Sequence, residues 1–325
     1  MIVSSNFRPV PWLKNRHLQT ILPNLGFRRA YRGVLERETL ELPDGDFLHL
    51  DWLKQDQKNP EQPLLLCLHG LEGSSRSNYA GDLIAEAEKA GWNAVVMHFR
   101  GCSGEPNRLP RSYHAGDTAD LASVLKHLRK TGVGENKIFA TGYSLGGNLL
   151  LKYLGEQGSS SAIDAAAAIS VPFDLYGAAL TVEQGFSQRY QAYLMRKMLG
   201  RVRSKSHQVE GLIDLEKALN SRNFIEFDEY VTAPLHGFEG HRDYYNRCSS
   251  IGFLKDIGVP TLVLHSRDDP FLHPRYLPTE EQISASTRVE FSDHGGHVGF
   301  IAQKKPWQPM MWLPRRILQH FGEQL

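Results

Sequence analysis

The chain has 325 residues, with 37 basic and 36 acidic side chains and a formal net charge of +1. Its 41% hydrophobic and 22% charged content is that of a globular protein, which excludes disordered, collagenous and low-complexity classes. The balanced charge excludes a broadly basic nucleic-acid binder, and no stretch nears the ~20 apolar residues of a membrane span.

Residues 1–35 read as an irregular arm punctuated by proline. They hold no apolar run of the signal-peptide kind. Cys67, Cys102 and Cys248 are too few and too far apart for a disulfide framework or a zinc site. A soluble, cytoplasmic protein is expected. Next comes a hairpin, LERETLEL and FLHLDWL, joined by the turn Pro43-Asp44-Gly45-Asp46.

From residue 64 the pattern changes to buried strands alternating with helices. LLLCLH, NAVVMHF, KIFATGYS and DAAAAISVP are apolar runs of strand length. Helical patterns cover 79–90, 118–129 and the segment after Ser144. This alternation predicts a mostly parallel sheet with right-handed crossovers, an α/β fold. Strand patterns return at 261–266 and 288–292. Residues 173–250 lack a buried strand, and Phe186, Tyr190, Leu194, Met198 and Val202 recur at helical spacing. We expect a core of 1–172 and 251–325, with 173–250 inserted as a helical cap over the carboxyl ends of the strands, where such sheets bind ligands.

The chemistry centres on Gly142-Tyr143-Ser144-Leu145-Gly146, which follows a strand and opens a helix. A chain that reverses within two residues holds its serine on a strained turn, and flanking glycines admit close backbone approach. A serine needs a base, and the base needs an orienting acid. Downstream, LVLHSRDDP supplies Asp268 and Asp269, and DHGGHVGF supplies His294 and His297. Asp269 and His297 are preferred: the first stands before Pro270 at the start of its loop, the second follows two glycines. Acyl transfer also needs oxyanion donors. The backbone N–H of Leu145, next to the serine, and that of Leu71, in His69-Gly70-Leu71-Glu72-Gly73, fill that place.

Read together, HGLEGSS, HFRGCSGEPNRLPRSYH, GYSLGGN, RDDPF and DHGGHVGFI resemble the YheT family of esterases, a branch of the α/β-hydrolase superfamily. The arm segment Asn15-Arg16-His17-Leu18-Gln19-Thr20, the hairpin and Asp243-Tyr244-Tyr245 extend the resemblance over nearly the whole chain. It implies an α/β-hydrolase fold and a serine hydrolase of short- to medium-chain carboxylic esters without a cofactor, using Ser144, Asp269 and His297. Thioesterase, amidase, lipase and acyltransferase chemistry share such a triad. None of the 14 histidines has an aspartate five positions on, so the H-x4-D acyltransferase signature is absent. A non-catalytic ligand-binding homologue is the rival from another class.

Other residues read more plainly. Arg100 and the Gly101–Gly104 turn tie loops together, and Cys102 is no rival nucleophile. His236 and His241 stand five apart with glycines between, not at the i, i+4 spacing of a helical metal pair, so no metal is expected. Residues 1–35 and 184–209 each carry six basic residues and no acid. If the two stretches meet near the pocket mouth, they form a basic rim suited to an anionic lipid surface or an anionic acyl substrate.

Overall fold

The computed structural model describes residues 1–25, 31, 33–54, 60–133, 135–305 and 308–325. The chain opens with strand β1 (Ile2–Ser4) and helix α1 (Arg16–Ile21). Asn15 caps α1, its side chain accepting from the His17 and Leu18 N–H groups. The expected hairpin is β2 (Leu35–Glu41) and β3 (Phe47–Leu53), with Gly45 at φ 85° in its turn.

Then β4 (Leu64–Leu68), α2 (Asn78–Lys89), β5 (Asn93–Met97), α3 (Thr118–Leu128), β6 (Ile138–Tyr143), α4 (Leu145–Gln157) and β7 (Ala165–Ile169) alternate. Between β7 and the next sheet strand lie α5 (Leu175–Val182), α6 (Gln188–Ser204) and α7 (His241–Cys248), with shorter helical turns among them. The sheet resumes with β8 (Thr261–Ser266) and β9 (Thr287–Ser292). A separate hairpin, β10 (Ile301–Lys305) and β11 (Gln308–Met311), precedes α8 (Leu313–Gly322).

The main sheet has nine strands in the order β1-β9-β8-β7-β6-β4-β5-β3-β2. All neighbours are parallel except β2–β3 and β3–β5. Alternation along β4 shows why its continuous apolar run is needed. Leu64, Leu66 and Leu68 pack with α3 and α4, while Leu65 and Cys67 pack with α2 and α8. A strand covered on both faces has no position left for a polar side chain.

The N-terminal arm departs from its irregular reading, since Ile2–Ser4 adds an edge strand beside Val289–Phe291. Three residues are too few to show a period of two. The β10–β11 hairpin is likewise unannounced, because Pro309 lies inside it and proline argues against a strand. Arg28, Arg29 and Arg32 of the basic arm lie outside the described residues. Among those described, no helix is long and apolar enough to cross a membrane.

Candidate active site

Ser144 sits between β6 and α4 with φ 52° and ψ −118°, a conformation that L-residues adopt only under constraint. The constraints are visible. Its N–H donates to the Ile169 carbonyl on β7 at 2.8 Å, and its carbonyl accepts from Gly147 and Asn148 at 2.9 and 3.0 Å. The flanking glycines are sterically forced: a Cβ on Gly142 would lie 2.4 Å from the Gly146 oxygen, and one on Gly146 2.4 Å from the His69 oxygen.

His297 Nε2 is 2.9 Å from Ser144 Oγ. Its Nδ1 lies 2.9 Å from Asp269 Oδ2 and 3.1 Å from Oδ1. In this arrangement Nδ1–H donates to the carboxylate, and Nε2 faces the serine hydroxyl as its acceptor when the imidazole acts as a base. Asp269 is buried at 2% exposure and also accepts from the Phe271 N–H at 2.8 Å. Phe271 stacks on the His297 ring at 4.0 Å.

Asp268 points elsewhere. It accepts from the Gly296 N–H at 3.0 Å and lies 3.4 Å from His294 Nδ1, so it ties down the loop that carries His297. Burial raises its carboxyl above the ordinary range. The structure thus brings Ser144, His297 and Asp269 together and leaves Asp268 and His294 as loop anchors.

The Leu71 loop lies against the serine: a Cβ on Gly70 would meet Ser144 Cβ at 3.3 Å. Buried His69 shapes this loop. Its Nδ1–H donates to the Gly70 carbonyl at 2.7 Å, and its Nε2 accepts from the Phe99 N–H at 3.1 Å. Burial pushes its pKa down to about 3, which keeps it neutral. The Gly70 N–H donates to Tyr79 Oη at 2.9 Å. Among the described residues, the backbone N–H groups of Leu71 and Leu145 have no protein acceptor.

A cavity of about 550 Å³ opens over these groups. Leu71, Leu145, Leu175, Val182, Met198, Val202, Phe227 and Val231 give it apolar walls, many of them from the helical segment between β7 and β8. A π-helical turn, Asp228–Thr232, brings one acid to the cavity. Asp228 accepts from Thr232 Oγ1 at 2.6 Å and Tyr245 Oη at 2.7 Å, and burial pushes its pKa up to about 6.

Three sets of residues matter here whose roles the sequence patterns did not give. Thr20 Oγ1 accepts from the His297 N–H at 2.9 Å, and Gln19, fully buried, bonds the Leu13 and Ile301 backbones. Glycine is obligatory where the loop meets α1, because a Cβ on Gly299 would lie 2.2 Å from the Gln19 oxygen. The arm segment was legible as a motif, but its role needs the fold.

Arg201 of α6 reaches the other loop. It pairs with Glu72 Oε2 at 2.7 Å, while Tyr113 Oη donates to Glu72 Oε1 at 2.9 Å. His265 lies 3.8 Å from Asp269, fully buried with both ring nitrogens unbonded. Burial pushes its pKa down to about 4.

The remaining residues singled out by sequence are bound up in packing. Arg100 spans Asp44, Asp46 and Asp120. Burial pushes the Cys102 thiol up to about 11, away from thiolate chemistry. His236 contacts the His114 ring at 4.7 Å, and His241 pairs with Glu229 instead. No metal-binding group of side chains occurs among the described residues.

Residues 63–303 match the family model described as alpha/beta hydrolase fold. The Escherichia coli (strain K12) protein named "Putative esterase YheT" is 42% identical over 316 residues, 97% of this chain and 92% of that one. The chain belongs to the YheT branch of the α/β-hydrolase family. Homo sapiens "Phospholipase ABHD3" is 29% identical over 308 residues, covering 92% of this chain and 75% of that one. The Pyrococcus furiosus esterase Pf2001 structure has the same fold, with TM-score 0.58 at 16% identity over 98% of this chain and 97% of that one. The mixed sheet, its flanking helices and the helical insertion are those of an α/β hydrolase. Family membership and fold together support hydrolytic, esterase-type activity.

Proposed function

We propose that the protein is a serine carboxylesterase that cleaves acyl esters through an acyl-enzyme. The observation that carries this reading is the continuous hydrogen-bonded chain from Ser144 Oγ through His297 to Asp269, under an apolar cavity. His297 Nε2 takes the proton of the serine as Oγ attacks the ester carbonyl. Asp269 holds the imidazole tautomer and stabilises the imidazolium that forms. The N–H groups of Leu71 and Leu145, without a protein acceptor among the described residues, bind the oxyanion. The alkoxide leaves with the proton from His297, and water then deacylates Ser144 with His297 as base again. The residues supply nucleophile, base, acid and donors, so the reaction needs no metal or cofactor.

The cavity and the relatives support a reading of the substrate class. A volume of about 550 Å³ with apolar walls suits an acyl chain. Relatives named as a phospholipase and a monoacylglycerol lipase favour lipid-like esters. We assign short- to medium-chain acyl esters, with residues 173–250 acting as the cap that walls the chain.

Purified protein assayed on p-nitrophenyl esters of increasing chain length tests this. Wild type should hydrolyse them with an optimum in the short to medium range. Ser144→Ala should lose at least about a thousandfold in kcat with an unchanged circular dichroism spectrum. Full activity in the folded variant would overturn the mechanism.

A further inference from the structure

The two basic, acid-free stretches of the sequence meet in the fold. His17 of α1 lies 4.6 Å from the Phe186 ring, and its Nδ1 is 3.1 Å from Tyr190 Oη on α6. The junction is at the cavity mouth: Leu25 and Tyr193 line the cavity yet are 72% and 49% exposed. Leu18 of α1 and Phe186, which packs on His17, are also exposed, at 43% and 44%. Large apolar side chains rarely stay in water as a group without a partner.

Cations surround these side chains. Arg189 lies over Phe186, and Arg196 and Lys197 flank Tyr193. All three are exposed, as are Lys14 and Arg16 on the arm. The full charge of 184–209 does not face outward, because Arg201 pairs with Glu72 and Lys205 is buried against the Asn107 side chain. What remains outside is a rim of cations and apolar side chains around the opening that leads to Ser144.

We propose that this face, formed by α1 and the N-terminal part of α6, docks on an anionic lipid bilayer and presents the cavity mouth to it. Anionic headgroups neutralise the cations, and the apolar side chains sink into the boundary between headgroups and acyl chains. An ester drawn from the bilayer then enters an apolar cavity without crossing water. This deepens the ester-hydrolase reading, but docking is measured without turnover, so either idea can fail alone.

The test uses full-length Ser144→Ala protein and vesicles of phosphatidylcholine, or of phosphatidylcholine mixed with phosphatidylglycerol. Co-sedimentation should be strong only with the anionic vesicles and should fall as salt rises, since surface charges are screened over about 10 Å at 0.1 M. Arg196→Glu with Lys197→Glu should lower the partition coefficient about tenfold or more. Leu18→Ser should lower it severalfold. Lys126→Glu with Lys130→Glu, where the end of α3 leads into the start of the central strand β6, the strand end away from Ser144, should leave it unchanged. The Arg196/Lys197 double variant in the active background should keep its rate on soluble p-nitrophenyl esters. No binding, equal binding to both vesicles, salt-insensitive binding or an equal loss in the control double variant would overturn the proposal.

Discussion

Two neighbouring aspartates with the same side chain have different partners, and a single atom pair separates them. Asp269 reaches His297 Nδ1, whereas Asp268 accepts from a backbone amide of the same loop. On the proposed mechanism, Asp269→Asn presents an amide where a carboxylate is needed, so the wrong imidazole tautomer is favoured. Its kcat should fall by about a thousandfold or more. Asp268→Asn keeps an acceptor for Gly296 and should lose no more than about tenfold. Steady-state kinetics of the pair decides between them, and an equal loss in both would undo the assignment. The two doublets, Asp268-Asp269 and His294/His297, were legible as candidates. Which member faces the serine depends on the turn after β8 and on Gly295 and Gly296, whose φ values are 152° and 58°.

At the scale of elements, the helices and strands position loops that they do not contain. Helix α1 contributes no reacting group, yet its Thr20 hydroxyl holds the His297 backbone. Thr20→Val removes that acceptor while keeping the shape. It should lower kcat by about ten- to a hundredfold through misplacement of the base, with KM nearly unchanged. Thr20→Ser should restore most of the rate, an outcome that loss of packing alone would not give. Helix α6 acts on the opposite loop through Arg201. Arg201→Met leaves the Glu72 carboxylate without its cation, and the Glu72 side chain is only 8% exposed. Loss of one partner of such a pair costs about 3–5 kcal/mol, which urea denaturation should detect. Neither link shows as a sequence pattern, because Thr20 and His297 are 277 positions apart and Arg201 and Glu72 are 129 apart.

For the whole molecule, the buried histidines set the response to acid. His265 and His69 have folded pKa values pushed down to about 4 and about 3 by burial, against 6.5 in the open chain. As pH falls below 6.5 the unfolded chain takes up protons that the folded protein refuses. The associated stability is therefore present above pH 6.5 and is lost as pH falls toward about 4. For His265 alone the full difference is about 3 kcal/mol. Unfolding free energy measured by urea should drop between pH 7 and pH 4, and His265→Leu should flatten that slope; an unchanged slope would contradict it. The alternation of strands and helices, the serine turn and the candidate acids and bases are written in the sequence. Those are local matters, because a buried strand must be apolar and a tight turn must have glycine. Only the tertiary structure decided that Ile2–Ser4 completes the sheet, that the arm grips the His297 loop and that Arg201 grips the Leu71 loop. The same holds for the charge. Evenly balanced at +1 in sequence, it becomes a directional rim only when α1 and α6 are folded side by side, because Coulomb interactions depend on distance in space and not along the chain.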